Sequence, residues 1–428
     1  MTLDPVHFEG IRRLARRIDH DVDETDHRDA AETAWAEFLD PLYDDGEPVL
    51  EPVDGQARRC VDVEGAALQA EPFSTQHGLD SGTLNPQLFT NGLLLDVAQA
   101  AMSATPSDLD LHRSRTIVAV AHSNDGTLAL DDDWETYDDS YVRMRVLQAP
   151  RVDRYEERVV HDLALYLAES EHLLAHADAV SDLLVLDGPI YPKGILNWPD
   201  RHPGLADTVA TSEATQQAVQ NYVDLVEAFV EREVPLVGFV KNLSSKGVIR
   251  TLREKTLAPW ANDAAFFTKV LERREDGPGS TRVGGPGGRS RDRHRRVTDE
   301  LAFTNWFVSR VGSDDVVPGE DRAFDLDRSL DSSAYQVTYF LVYEPREDLL
   351  FKVEAPYAFT SDDEVREKIE RQVLRNVAAN RGPPAAVSRA DQLARIGRRE
   401  RDSLIDLLER IFDSRRDSNY NNLRWDVG

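Results

Sequence analysis

The sequence predicts an α/β protein in which a mixed β-sheet is flanked by helices, with a helical segment before the sheet and a hairpin plus helices after it. Three observations support this prediction. Short apolar runs follow one another at residues 73–79, 92–98 and 115–121, which is typical of neighbouring strands. Two later apolar runs are separated by a long helical pattern, and two alternating segments near the end flank a tight turn.

The order of the elements favours a sheet that is both antiparallel and parallel. The three early strands are joined by short links and predict an antiparallel meander. A long helix is predicted over 153–177, then the strand LLVLDG ending at Asp187, a second helix over 214–232 and the strand PLVGFV ending before Lys241. Strands connected through helices favour parallel pairing. A mixed sheet in this order is of the RNase H-like kind.

The C-terminal third predicts a β-hairpin followed by helices. YQVTYFLVYE and LLFKVEAPYAF flank the turn at 345–348. The pattern SDDE, which starts at Ser361, is a capping box and predicts a helix to about residue 380. Gly382 is a stop signal for that helix, and a final helix is predicted over 385–412.

The chain is predicted to have one domain with extensions. Residues 1–70 form an N-terminal helical and irregular extension, because the first part is helical and charged and the rest lacks a regular pattern. The domain is predicted over 71–413, followed by a tail over 414–428. Within the domain, the stretch at 275–297 is rich in Gly and Arg without an apolar pattern, which predicts a flexible surface insertion.

Composition limits the class of protein. Apolar residues make up 41% of the 428 residues, which is enough for a sizeable core and excludes wholesale disorder. No apolar run is long enough for a membrane span or a signal peptide, so we expect a cytoplasmic protein. The single cysteine, Cys60, excludes an internal disulfide and a cysteine metal cluster. The net charge of −28 with scarce lysine is typical of an extreme halophile, and it does not exclude a DNA substrate.

Two aspartates stand at the ends of apolar strands and precede small residues: Asp80 in HGLDSGT and Asp187 in LLVLDGPIYP. Each alone is also a common turn signal, since Asp-Gly often starts a turn. If the two strands are adjacent, the carboxylates lie close together and repel each other unless a cation binds between them. Hard oxygen ligands suit Mg²⁺ or Mn²⁺, and two such ions would activate water for phosphodiester cleavage.

A third carboxylate is expected from the helix before the Asp187 strand, because that helix runs antiparallel to the strand. The strand carries the chain about 16–20 Å from Asp187 at about 3.3 Å per residue. A return over that distance takes about 11–14 helical residues at about 1.5 Å each. The candidates are therefore Glu169, Glu171 and Glu157, in that order. The alternative for each is a solvated glutamate on a charged helix.

Four further features admit both a functional and a structural interpretation. Lys241, at the end of PLVGFVK, is either a contact for phosphate or the attacking water, or a surface lysine. Glu354 is either structural or part of an active site. His172 and His176 have a spacing that suits zinc, but no HExxH pattern supports a zinc site. The arginines of 289–296 either contact the DNA backbone or belong to a solvated loop.

The segments DSGT, LLVLDGPIYP, PLVGFVKNLSS and VEAPYAF occur in this order within residues 73–412, and in this they resemble the NurA nuclease family in a halophilic form. The resemblance implies an RNase H-like fold and a Mn²⁺- or Mg²⁺-dependent nuclease. Its implied activities are single-strand endonuclease and 5′→3′ exonuclease, on single-stranded DNA and duplex ends. It also implies a homodimer that works with a HerA-type hexameric ATPase in DNA-end resection and double-strand break repair.

The resemblance also implies site residues. Asp80 matches the family's first-strand aspartate and Asp187 its DGS-like aspartate, while the helix glutamate stays among the three candidates. The family's C-terminal signature, a GYP-like tripeptide and then a histidine on the last helix, is changed in this chain. Pro383 stands at the tyrosine position, and Asp391 stands at the histidine position, where it can still act as a hard metal ligand.

Three functions compete on these features. The favoured one is a nuclease with a two-metal carboxylate site, because both aspartates are kept. The second is a catalytically weak or inactive RNase H-like scaffold bound to a motor ATPase, which the changes at Pro383 and Asp391 favour. The third, a phosphotransferase, needs a Gly-rich phosphate-binding loop, and the Gly-rich run at 284–288 does not lie between a strand and a helix.

Overall fold

Helices pack on both faces of one large sheet in the computed structural model of the chain, which describes residues 4–17, 24–124, 128–152, 154–276, 294–319 and 324–417. The strands are β1 (Leu42–Asp44), β2 (Glu47–Pro52), β3 (Arg58–Asp62), β4 (Gln76–Thr83), β5 (Gln87–Leu88), β6 (Leu94–Thr105), β7 (Arg115–His122), β8 (Glu135–Tyr137), β9 (Val142–Gln148), β10 (Leu183–Leu186), β11 (Leu236–Val240), β12 (Arg274–Asp276), β13 (His294–Arg296), β14 (Glu300–Thr304), β15 (Phe307–Ser309), β16 (Val337–Glu344) and β17 (Leu349–Pro356). The helices are α1 (Pro5–Ala15), α2 (Glu24–Phe38), α3 (Val63–Ala67), α4 (Leu109–Arg113), α5 (Glu156–His176), α6 (Lys193–Leu196), α7 (Trp198–Arg201), α8 (Ala206–Thr211), α9 (Glu213–Glu231), α10 (Gly247–Lys255), α11 (Asp263–Leu271), α12 (Tyr357–Thr360), α13 (Asp363–Asn380), α14 (Ala385–Ala394) and α15 (Arg398–Ile411).

The sheet runs in the order β1-β2-β15-β16-β17-β11-β10-β4-β6-β7-β9-β8, with β3, β5 and β14 attached beside this path. Strands β4, β6 and β7 form the predicted antiparallel meander. Strands β4, β10 and β11 are parallel, as expected for strands connected through helices. The prediction of a mixed sheet flanked by helices, with a C-terminal hairpin of β16 and β17 and further helices, is confirmed.

Two predicted elements are corrected. The single helix over 385–412 is wrong, because the chain is extended at Arg395 and a second helix begins after Gly397. The backbone N–H of Gly397 donates to Glu400 Oε2 at 2.7 Å and starts α15. The irregular part of the extension predicted over 1–70 contributes β2 and β3, which pair with β15 and β14 respectively. Those partners lie far along the chain, so a local pattern does not reveal the pairing.

Part of the predicted Gly/Arg-rich insertion, residues 277–293, lies outside the described residues, as do residues 418–428 of the predicted tail. The ends of the insertion pair with each other: β12 and β13 form a separate antiparallel ribbon in which Asp276 lies opposite His294. The start of the tail contacts the sheet through a bridge between Phe89 and Arg416.

Helix α5 covers one face of the sheet and contacts β4, β6, β7 and α9. Val159, Leu163 and Leu167 are fully buried and recur at about one-turn spacing, so the helix presents an apolar stripe to the strands. A second core forms among α2, α10, α11 and the β15–β16 region, with Trp35 and Phe266 among its members. Within the ranges that the structure describes, every helix is too short or too polar to cross a membrane.

Helix α14 lies close against β4 and β6 on the other face of the sheet. The approach depends on two glycines of β4. A Cβ atom at Gly78 would collide with the backbone of Ala386, and one at Gly82 would collide with the carbonyl of Ala394. The strand that carries Asp80 is thus fixed between α5 and α14.

Candidate active site

The two aspartates lie next to each other on parallel strands. Leu79 of β4 pairs with Leu186 of β10, and the backbone N–H of Asp187 donates to the Leu79 carbonyl oxygen at 3.0 Å. Asp80 and Asp187 directly follow this pair, so they lie side by side on adjacent strands, at the point where β10 ends. Strand β4 continues to Thr83 because β6 pairs with it there, so the prediction that the strand ends before Asp80 is wrong.

Helix α5 brings Glu169 to the same place. Ser81 Oγ donates to Glu169 Oε1 at 2.5 Å, and Tyr222 Oη of α9 donates to Oε2 at 3.0 Å. The charge of Glu169 also acts on Asp80 and the charge of Asp187 on Glu169. Of the three candidate glutamates, the first is therefore the one that the structure brings to the aspartates.

In the part of the chain that the structure describes, no contact joins the other predicted carboxylates, Glu171, Glu157 and Asp391, to the centre. Glu171 lies about 200° around α5 from the glutamate at the centre and pairs with Arg145 at 2.9 Å and Arg143 at 3.6 Å. Glu157 is exposed in the first turn of α5. Asp391 is exposed on α14. None of the three is among the charges that shift the pKa of Asp80.

Burial and repulsion raise the pKa of two of the three carboxyls. Burial is the larger cause at Asp80, and Asp187 and Glu169 add to it, so that the pKa of Asp80 reaches about 8. Burial also raises the pKa of Glu169 to about 7, although the hydrogen bonds from Ser81 and Tyr222 oppose the shift. Near neutral pH the centre therefore retains protons that a bound cation would displace.

Lys241 supplies the counter-charge for one carboxylate. It follows β11, which is parallel to β10, and its Nζ lies 2.5 Å from Asp187 Oδ2. The Lys241 side chain is 33% exposed, so it stands at the mouth of the centre. Its charge opposes the rise in the pKa of Asp80 only as a minor cause.

All three carboxylates offer oxygen, the donor that Mg²⁺ and Mn²⁺ prefer. Within the described ranges, however, no group of three or more His, Cys, Asp or Glu side chains is arranged as a metal-binding cluster. Each carboxylate contacts a protein group: Lys241 neutralises Asp187, Ser81 and Tyr222 hold Glu169, and the Ser81 backbone N–H donates to Asp80. The carboxylate oxygens suit a hard divalent cation. To bind it, they must give up their present contacts with protein groups for contacts with the cation.

His172 and His176, whose spacing suits zinc, contact each other and a neighbouring threonine. His172 is fully buried, and its Nδ1 lies 3.0 Å from Thr116 Oγ1. Its ring lies against that of His176, with 4.4 Å between the centroids, and His176 Nδ1 contacts the His172 carbonyl. These contacts hold Nδ1 of both rings, whereas His172 Nε2 is buried without a hydrogen-bond partner in the described part of the chain.

A cleft of about 610 Å³ opens beside the centre, at the carboxyl ends of β10 and β11. Four charged side chains form a network in it. Lys193 Nζ lies 2.6 Å from Glu354 Oε1 and 2.7 Å from Asp314 Oδ1, and Lys352 Nζ lies 2.8 Å from Glu354 Oε1. Burial alone would raise the pKa of Asp314, but the two lysines outweigh burial and lower that pKa to about 2. The role of Glu354 that the sequence left open is thus membership of this network.

Sequence reasoning missed most of the network, although signals for part of it were present. Lys352 and Glu354 interrupt the apolar strand LLFKVEAP at an i, i+2 spacing, which places both on one face. Lys193 is one of only seven lysines and follows closely after the Asp187 strand. Tyr222 gave no signal, because its position fits the buried stripe of α9 as any large apolar residue would.

Comparison with known proteins gives the family. Residues 74–396 match the NurA domain. Similar solved structures include the NurA nuclease from Sulfolobus solfataricus, with 11% identity and a TM-score of 0.45 over 84% of this chain and 87% of that one. Another is NurA bound to dAMP and manganese, with 10% identity and a TM-score of 0.38 over 83% and 91%. No curated protein matches the sequence. Since the family match alone spans well over half of the chain, the chain belongs to the NurA family.

Proposed function

We propose that the chain is a metal-dependent deoxyribonuclease with Asp80, Asp187 and Glu169 as its metal ligands. One observation carries the proposal: two adjacent strands and a helix bring three carboxylates together in a site whose burial and repulsion raise the pKa of Asp80 to about 8. Charged groups held in this way cost free energy that a bound cation offsets. Solved NurA structures hold manganese, one of them with dAMP, and the proposal extends such a metal and a DNA substrate to this chain.

We infer that Asp80, Asp187 and Glu169 would hold two ions of Mn²⁺ or Mg²⁺, which when bound would lower the pKa of the attacking water and stabilise charge on the phosphodiester. Ser81 and Tyr222 orient Glu169 by donating to its two carboxylate oxygens. Lys241 neutralises Asp187 in the protein alone. With a cation bound to Asp187, the Lys241 ammonium would be available to donate to a phosphate oxygen.

The wider role follows from the resemblance of the motifs to the family. We infer single-strand endonuclease and 5′→3′ exonuclease activities on single strands and duplex ends. We also infer a homodimer that works with a HerA-type ATPase in end resection and double-strand break repair, in the cytoplasm of a halophile. The nuclease domain is proposed over 71–413, between an N-terminal extension and a short tail.

A second candidate function is a catalytically weak or inactive scaffold for a motor ATPase. Its support is the departure from the family signature at Pro383 and Asp391. Proline offers no hydroxyl in place of tyrosine, and Asp391 is exposed on α14. This candidate predicts binding of the motor without cleavage of DNA.

One experiment separates the two candidates. The purified protein is incubated in high KCl with end-labelled single-stranded and duplex DNA, in the presence of Mn²⁺, Mg²⁺ or EDTA. The proposal predicts cleavage with a divalent cation and none in EDTA. Cleavage that persists in EDTA would contradict the metal centre, and the absence of cleavage with either metal would favour the scaffold.

A further inference from the structure

The lysines of this chain are concentrated around the cleft beside β10 and β11. Lys193, Lys246 and Lys352, three of the seven lysines, line the cleft, and Lys241 lies at its edge between two lining residues. The lining carries five cationic side chains against four acidic ones, whereas the whole chain carries 50 against 78. The cleft is therefore a cationic region in a strongly acidic protein.

The network in the cleft is neutral, but it presents its positive ends to the solvent. The Lys193 and Lys352 side chains are 22% and 12% exposed, whereas those of Asp314 and Glu354 are only 7% and 1% exposed. Lys193 has three N–H donors and uses two of them on Asp314 and Glu354. One donor of this fixed ammonium group remains for an anion in the cleft.

The rim of the cleft adds two further cations. Lys246 and Arg250 are exposed, and nothing in the described part of the chain pairs with the side chain of either. The nearby acid Asp263 accepts hydrogen bonds from Ser245 Oγ at 2.5 Å and from the Ile249 N–H at 2.8 Å. Its carboxylate therefore binds the start of α10 rather than Lys246 or Arg250. The positive charge of the rim is thus not neutralised by its neighbours.

The other charges of the lining do not reverse this balance. Arg158 pairs with Asp162 at 2.7 Å, and Asp200 is the exposed acid of the lining. Lys241 connects the cleft with the centre, since its neighbours line the cleft while its Nζ contacts Asp187. An anionic chain that enters the centre therefore meets this cationic surface next.

We propose that this cleft binds the phosphodiester backbone of a single DNA strand next to the bond that is cut, with Lys193, Lys246 and Arg250 as its phosphate contacts. The inference rests on the proposed nuclease function. A volume of about 610 Å³ lies within the range of small-ligand pockets, so the cleft accepts a short stretch of single strand rather than a duplex. Exposed lysine and arginine side chains along the path of a DNA strand bind its phosphates. The affinity of such binding depends on salt concentration but not on base sequence.

Amine footprinting tests the contact without cleavage. The full chain in EDTA is acetylated with and without a short oligothymidylate, and also with polyglutamate as an anionic peptide. The oligonucleotide should protect Lys246 and leave Lys255 reactive, because Lys255 is an exposed lysine at the opposite end of α10 and outside the lining. Unchanged labelling of Lys246, or equal protection by polyglutamate, would overturn the inference.

Kinetics distinguishes failure of this inference from failure of the nuclease proposal. Lys246→Gln combined with Arg250→Gln should raise KM for a single-stranded oligonucleotide about ten-fold, and the salt dependence of log KM should weaken by about 1.4 for two lost contacts. The matched variant Lys255→Gln should behave as the wild type. An active enzyme with unchanged KM in the double variant would refute the cleft alone. Protection of Lys246 in a protein that never cleaves DNA would refute the nuclease alone.

Discussion

Different groups of the protein contact the carboxylates of Asp80, Asp187 and Glu169, and these contacts decide how each residue responds to mutation. Asp187 is neutralised by Lys241, and Glu169 accepts hydrogen bonds from two hydroxyl groups. Within the described ranges, Asp80 accepts only a backbone N–H, that of Ser81 at 2.7 Å. The unfavourable electrostatics of the centre therefore acts mainly on Asp80, whose pKa is raised further than that of Glu169.

The pH dependence of stability follows from this carboxyl. The pKa of Asp80 is raised from 3.8 to about 8, so between these values the folded state keeps a proton that the unfolded state has lost. The free energy of unfolding should therefore fall as the pH rises through this range. Urea denaturation in EDTA, near pH 5 and near pH 8, should show a larger loss of stability in the wild type than in Asp80→Asn. Equal losses in the two proteins would contradict the burial and repulsion described for Asp80.

The two glutamates of α5 provide a matched pair of variants. Glu169→Gln removes a carboxylate of the centre and should lower the cleavage rate about 100-fold. Glu171→Gln weakens the contacts with Arg145 and Arg143 on another side of the helix, so it should lower stability rather than activity. Single-turnover cleavage of a labelled strand measures both rates. Equal rates for the two variants would show that the assignment of Glu169 is wrong.

At the scale of elements, the sequence patterns located the strands and helices that build the centre. Apolar runs and alternating apolar residues predict β7, β10, β11 and the hairpin. The number of α5 residues needed to return to the level of Asp187 makes Glu169 the first candidate. The patterns failed where long-range pairing decides the structure. Strand β4 extends through Asp80 because β6 pairs with it, and β2 and β3 form because β15 and β14 lie beside them. The break at residues 395–397 divides the predicted last helix.

The packing of α14 on β4 gives a test at this scale. A Cβ atom at Gly82 would meet the Ala394 carbonyl, so Gly82→Ala should force α14 outward and cost about 1–3 kcal/mol in the free energy of unfolding. Gly10→Ala is the control, because Gly10 lies in the helix α1 with open space around it and should gain slightly in stability. Denaturant titration of both variants makes the comparison. An unchanged stability in Gly82→Ala would refute the close contact.

At the scale of the whole molecule, net charge limits how the protein reaches its substrate. A chain with a net charge of −28 has little long-range attraction for DNA, least of all in high salt. The cationic cleft acts only at short range, once a strand is already at the centre. Delivery of a duplex end therefore requires a source of local concentration outside this chain.

A HerA-type ATPase that encircles and feeds the duplex would supply that concentration. We expect such an ATPase to bind this protein and to accelerate the degradation of duplex ends, while the free protein prefers single strands. The measurement is duplex-end degradation at high KCl with and without the ATPase and ATP, together with co-elution of the two proteins. Equal rates without co-elution would reject the partnership.

The most direct test of the carboxylate centre is the binding of Mn²⁺ itself, followed by the electron paramagnetic resonance signal of the free ion. The wild type should bind Mn²⁺, and Asp80→Asn and Asp187→Asn should each weaken the binding strongly without unfolding. Glu171→Gln should bind as the wild type does, since Glu171 pairs with arginines away from the centre. Equal Mn²⁺ binding by the wild type and both aspartate variants would contradict the account.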